Sequence, residues 1–128
     1  MVLPATMRLR GHRCFNRLHR SSKRQDGTLM VLRVAAGDSN LLRRELRRIE
    51  EKTCRCALVI SNKVSKRAVM RNRLRRLLHD HLRRHFERRN DLTGQWLLLS
   101  LRPEAAEAEP TQLLEECDSL LRRAGLDL

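Results

Sequence analysis

An apolar residue returns at every fourth position from Met70 through Leu74, Leu78 and Leu82 to Phe86, with Leu77 beside the row. That spacing does not fit a sheet, whose faces alternate every second residue, so it predicts one long helix over Lys66–Arg89. The stripe covers one arc only, so the helix must rest on something else. The opposite arc holds Asn72, Arg73, Arg76, His79, Asp80 and Arg83, with Arg71 and Arg75 at its margin. His81 and His85 fall within the apolar arc, where packing or a hydrogen bond suits an imidazole better than a ligand role.

The flanking segments supply the partner layer. Behind the turn signal Asp26-Gly27, Thr28–Ala35 is rich in branched residues and alternates with period two. Met30, Leu32 and Val34 form a core face; Leu29, Val31 and Arg33 form the outward one. Cys54–Ser61 alternates likewise, with Cys56, Leu58 and Ile60 set against Arg55, Ala57, Val59 and Ser61, and is expected to pair with the first strand. Gln95–Leu101 is a continuous apolar run closed by Pro103, which predicts a buried strand. Pro110 opens a terminal helix with Leu113, Leu114, Cys117, Leu120 and Leu121 at helical spacing, stopped by Gly125. A short first helix over Arg8–Arg20 holds Cys14, Phe15 and Leu18, and Leu41–Lys52 reads as a surface connector. The pattern is α+β, a single domain over residues 1–128.

Charge narrows the function. The 128 residues carry 28 Lys and Arg against 15 Asp and Glu, a formal +13, and 24 of the cations are arginine. Through Asn90 the count is 25 cations to 7 acids; from Asp91 it reverses to 3 against 8. Arginine's planar fork binds phosphate through two hydrogen bonds and stacks on bases, so nucleic acid is the expected partner. No apolar run approaches the roughly 20 residues that cross a bilayer. The opening Met1–Pro4 passes into arginines, so a cytoplasmic chain with no membrane partner is expected. Cys14, Cys54, Cys56 and Cys117 are expected as reduced thiols, and Cys54-x-Cys56 lacks the second close pair a zinc site needs.

Chemistry by the protein itself is not expected. The acids of the first ninety residues are scattered rather than gathered for metal ions. Ser61 with His79 or His81 lacks the glycines of a nucleophile elbow. No catalytic residue and no protein-borne metal site is read, and nothing in the pattern specifies an oligomeric state. The strong signal lies where the second strand enters the long helix. Lys63, Lys66, Arg67, Arg71, Arg73, Arg75 and Arg76 crowd the junction, and no acid falls between Lys63 and Arg76. Free helix-start N–H groups add to the attraction for phosphate, and Asn72 adds a directional donor and acceptor.

Ser61-Asn62-Lys63-Val64, Lys66-Arg67-Ala68-Val69 and Arg71-Asn72-Arg73-Leu74-Arg75-Arg76 together resemble the signature of the bacterial-type ribonuclease P protein subunit. The resemblance extends to Leu3-Pro4, Arg8-Leu9, Phe15, Arg102-Pro103 and the terminal amphipathic helix, and is poorest over Gly37–Thr53. It implies an α-β-β-β-α-β-α order with a four-stranded sheet and a left-handed β-α-β crossover, like one domain type among ribosomal proteins. The missing short strand would be Ser22–Gln25. It also implies an accessory role in an endonuclease. A catalytic RNA removes the 5′ leader of precursor tRNA using RNA-bound Mg2+, and the protein binds both RNAs.

Carried over by position, Lys63, Lys66, Arg67, Arg71, Asn72, Arg73, Arg75 and Arg76 fall on the segment that contacts the catalytic RNA. Phe15, His19, Val31 and Arg33 fall on the leader-binding cleft. His19 and Arg33 stand where aromatics are usual, His79 where a further arginine is common, and Ser22 where glycine is frequent. With aromatics at 2% of the chain, leader recognition would lean on arginine and histidine stacking. The alternative is a ribosomal or other structural RNA-binding protein. A helix-turn-helix DNA regulator is disfavoured because the long helix is entered from a strand.

Overall fold

Gln95–Leu101 becomes an inner strand of the sheet, and its apolar side chains fill cores on both sides. In the computed structural model, which describes residues 8–9, 12–20, 22–36, 54–88 and 95–125, the elements are α1 (His12–Arg20), β1 (Lys23–Asp26), β2 (Met30–Ala36), β3 (Arg55–Val59), α2 (Ala68–Arg88), β4 (Gln95–Leu101), a 3-10 turn (Pro103–Glu107) and α3 (Pro110–Arg123). This is the α-β-β-β-α-β-α order. The connector Leu41–Lys52 lies outside the described residues.

The sheet order is β1-β2-β4-β3, with β3 parallel to β4 and the other pairs antiparallel. The expected pairing of the second long strand with the first is therefore corrected, because β4 lies between them. Trp96, Leu97, Leu98 and Leu99 are each at most 1% exposed. The helices on the two sides of the sheet hide both faces of this strand, each buried large apolar side chain contributing about 1.5–3 kcal/mol, and its inner position pairs both of its edges. The outer edge of β3 is partly covered by the N-terminal segment, where Leu9 N–H donates to Cys56 O at 2.9 Å.

Under α2 and α3, Met30, Leu32, Val34, Cys56, Leu97 and Leu99 meet Leu74, Leu78, Leu82, Phe86, Leu113, Cys117 and Leu120. On the other face Cys14 and Leu18 of α1 pack on Ala35, Ala57, Trp96 and Leu98. All four cysteines are buried and free. His81 and His85 hydrogen-bond Asp118 and so tie α2 to α3. Among the described residues no helix is long and apolar enough to cross a membrane.

β2 starts two residues later than its apolar pattern suggests. Glu116 of α3 accepts the backbone N–H groups of Thr28 at 2.9 Å and Leu29 at 2.7 Å, taking them out of the strand ladder. Arg102 Nε adds a bond to Gly27 O at 2.9 Å, so the β1–β2 turn is held from two elements. The helix α2 starts at Ala68 rather than Lys66. Ser61 and Ser65 accept the N–H groups of Lys63 and Arg67 through their hydroxyls, bending the approach into turns.

Candidate nucleic-acid interface

Along α2 the arginines fall into two electrostatic classes. In its C-terminal half Arg83 pairs with Glu87 and Arg84 with Asp80, each at 2.8 Å and one turn apart. Toward its N-terminus no acid occupies the first turn. None of Lys63, Lys66, Arg67, Arg71, Arg73, Arg75 and Arg76 meets a carboxylate in the ion pairs among the described residues. Lys63, Lys66, Arg67, Asn72, Arg73 and Arg76 are exposed; Arg71 and Arg75 are half-buried. Arg71 Nη1 donates to Ser65 O at 2.8 Å, which fixes that side chain across the helix start. Arg75 reaches the Asn72 side-chain oxygen at a long 3.5 Å. Val69 stands 68% exposed among these cations, an apolar surface beside a phosphate-seeking one. The positive end of the helix dipole adds to the same field.

The second surface begins on α1. Phe15 is half-buried against the small core, and Arg17 Nε holds the helix to Ala36 O at 2.9 Å. Phe15 also lines a cleft of about 210 Å3 with Arg8, Leu9, Cys56, Ala57, Leu58, Arg75 and His79. Arg75, assigned from sequence to the catalytic-RNA segment, thus shares a wall with Phe15, assigned to the leader. The two surfaces meet at that arginine.

His79 departs from its sequence reading. Helical phase places it on the solvent arc, yet it is 5% exposed. The N-terminal segment and Phe15, far away in the chain, close over that side of α2 at the β3 edge. Burial, followed by the nearby charges of Arg75 and Arg8, lowers its pKa to about 4. The ring is therefore neutral at ordinary pH, and its Nδ1 has no hydrogen-bond partner among the described residues.

Val31 and Arg33 lie on the α1 side of the sheet but do not line the Phe15 cleft. Val31, read as outward, is 8% exposed and offers little contact surface; Arg33 is half-buried and His19 is exposed. Sequence reading left out Arg24, whose place opposite Arg33 follows from the hairpin register. It also left out Arg8 as a wall of the cleft, which no local pattern signals. A larger hollow of about 650 Å3 is lined by Asp26, Glu115 and Glu116 at the β1–β2 turn. Its three acids outnumber the one cation of its lining, Arg123, so its field is less suited to phosphate than the start of α2.

A family model described as Ribonuclease P matches residues 3–125. The Ribonuclease P protein component of Synechococcus sp. (strain CC9902) is 72% identical over 127 residues, covering 99% of each chain. That of Prochlorococcus marinus (strain MIT 9313) is 56% identical over 126 residues, covering 98% of each. In fold, the chain is similar to the RNase P protein of Staphylococcus aureus (TM-score 0.75, 15% identity, covering 95% of this chain and 98% of that one). It is also similar to that of Thermotoga maritima (TM-score 0.65, 20% identity, covering 91% and 96%).

Proposed function

This chain belongs to the Ribonuclease P protein family, and from that premise we propose how it serves the enzyme. As the protein component of an endoribonuclease ribonucleoprotein it binds RNA, its partner being the ribonuclease P RNA, and acts in tRNA processing. Relatives that match along the whole length and carry that name do not favour the structural RNA-binding alternative.

In our reading the catalytic RNA lies along the bare cations from Lys63 to Arg76, and the 5′ leader of precursor tRNA crosses the α1 side of the sheet past Phe15 and Arg33. The observation that carries this is the shared wall at Arg75, which joins the helix surface to the Phe15 cleft. Two RNA segments can then be gripped side by side, one through its phosphates and the other by stacking on Phe15 and guanidinium planes.

The hydrolytic chemistry is assigned to Mg2+ ions held by the RNA. Among the described residues the one group of three or more metal-ligating side chains is two imidazoles and one carboxylate. Mg2+ requires a hard, oxygen-rich shell, so that set does not fit it. The protein contributes charge that allows two polyanions to approach, a contribution that matters most when Mg2+ is scarce.

Reconstitution tests this reading. Added to a matching catalytic RNA at low Mg2+, the chain should restore site-specific removal of the leader, while the RNA-free chain with Mg2+ leaves precursor tRNA intact. Cleavage by RNA-free protein, or no stimulation of the RNA, would overturn it.

A further inference from the structure

His81 and His85 sit one turn apart on α2, and Asp118 of α3 meets both, its Oδ1 lying 2.7 Å from each Nε2. Potential ligand atoms of all three lie within 4.8 Å of one another. The two rings stand edge to face, 4.8 Å between centroids and 73° between planes. We propose that this α2–α3 junction is a binding site for a divalent transition-metal ion, Zn2+ by its ligand chemistry, held by His81 Nε2, His85 Nε2 and the Asp118 carboxylate.

Three features carry the assignment. Histidines at i and i+4 share one helix face, so both Nε2 atoms converge on one point above α2. Asp118 brings an anionic oxygen to that point from a second helix, which matters in a chain of formal charge +13 that otherwise repels a dication. Two imidazole nitrogens and one carboxylate suit zinc and its first-row neighbours, and leave a fourth position for water.

Bonds of about 2.0–2.1 Å at a tetrahedral centre separate ligand atoms by roughly 3.3 Å. The carboxylate oxygen therefore retreats by roughly 0.6 Å from each nitrogen, and the two nitrogens, which lie within 4.8 Å of each other, close toward the same spacing by side-chain rotation. Coordination uses the Nδ1–H tautomer of each imidazole, in which the Nε2 lone pair faces the ion. The side chains of His81, His85 and Asp118 are 17%, 9% and 33% exposed, so an ion reaches the site past the aspartate without opening the core. Cys117, beside Asp118 in the chain, is 1% exposed and points into the apolar core instead. An ion seated here joins α2 to α3 directly. Binding to the folded chain alone raises its stability by mass action.

The full chain, stripped with a chelator and exchanged into chelator-free buffer, is titrated with zinc chloride while heat release and the thermal unfolding midpoint are followed. One Zn2+ per chain and a raised midpoint are expected, with no shift from Mg2+ at the same concentration. Co2+ should give the visible absorption of a four-coordinate ion without a near-ultraviolet thiolate band. His85→Gln and Asp118→Asn should each weaken Zn2+ binding at least ~10-fold. If His85→Gln does not fold, Asp118→Asn, which keeps shape and an acceptor, poses the same question, and the Co2+ spectrum needs no variant. Absence of a zinc-dependent shift, a thiolate band with Co2+, or unchanged affinity in the folded variants would overturn the site and leave a hydrogen-bonded clasp.

Discussion

Arg24 of β1 stands directly opposite Arg33 of β2 in the antiparallel register, so two guanidiniums project from one face of the sheet, the face that carries α1. Like charges so placed repel. Asp26 answers Arg24 at 2.8 Å, whereas the ion pairs among the described residues do not reach Arg33. A phosphate crossing this face would relieve the repulsion, which makes Arg33 the sharper probe of the surface.

Arg33→Ala should leave stability within about 0.5 kcal/mol, as for a surface change that removes no packing. Binding of precursor tRNA with a leader of several nucleotides should weaken by about 1.5–3 kcal/mol, the range for a hydrogen bond to a charged group. Mature tRNA, which has no leader, should bind as before, and so should the catalytic RNA. Equal weakening of precursor and mature tRNA in a filter-binding comparison would place Arg33 outside the leader path.

Arg73 and Arg76 are exposed and lie outside the Phe15 cleft. Replacing both by Ala should flatten the log–log salt dependence of catalytic-RNA binding by roughly one to two units, for two lost phosphate contacts. An unchanged slope would remove them from the interface.

Gly27 is packed against the carboxylate that organises its turn. A Cβ there would lie 2.7 Å from Glu116 Oε2 and 2.9 Å from Met30 O. Gly27→Ala should therefore lower unfolding free energy by about 1–3 kcal/mol in urea, as overpacking does. In a chain already carrying Glu116→Ala, the same Gly27→Ala change should cost less; full additivity of the two changes would mean that the contact is not the cause.

His79 links stability to pH. Its folded pKa of about 4 lies below the ordinary 6.5, so the unfolded chain holds more protons between those values. Its contribution is complete above pH 6.5, declines as pH falls toward 4, and changes no further below that. The total is on the order of 3 kcal/mol. Urea melts from pH 7.5 to 4, run with EDTA so that no divalent ion contributes, should show this slope in the native chain and a shallower one in His79→Gln. Identical slopes would mean the imidazole is not held neutral by burial.

Local spacing determined the long helices and the three long strands here, while the short strand β1 followed only from the family resemblance. The four-residue repeat from Met70 to Phe86, the alternation of Met30, Leu32 and Val34, the unbroken run of β4 and the Pro110 and Gly125 boundaries of α3 each depend on neighbours a few residues away, and each formed within two residues of its reading. The cationic start of α2 was legible for the same reason, since charge and exposure there are set by the helix itself. Strand order was not, because whether β3 pairs with β2 or with β4 depends on contacts between segments distant in the chain. His79 shows the same limit within one helix. Its phase points to solvent, but burial is decided by whatever else arrives, here Arg8, Leu9 and Phe15. The meeting of Phe15 with Arg75, the grip of Glu116 on the β1–β2 turn and the joining of Asp118 to His81 and His85 likewise exist only because packing the sheet between α1 and the α2–α3 layer brings those residues together.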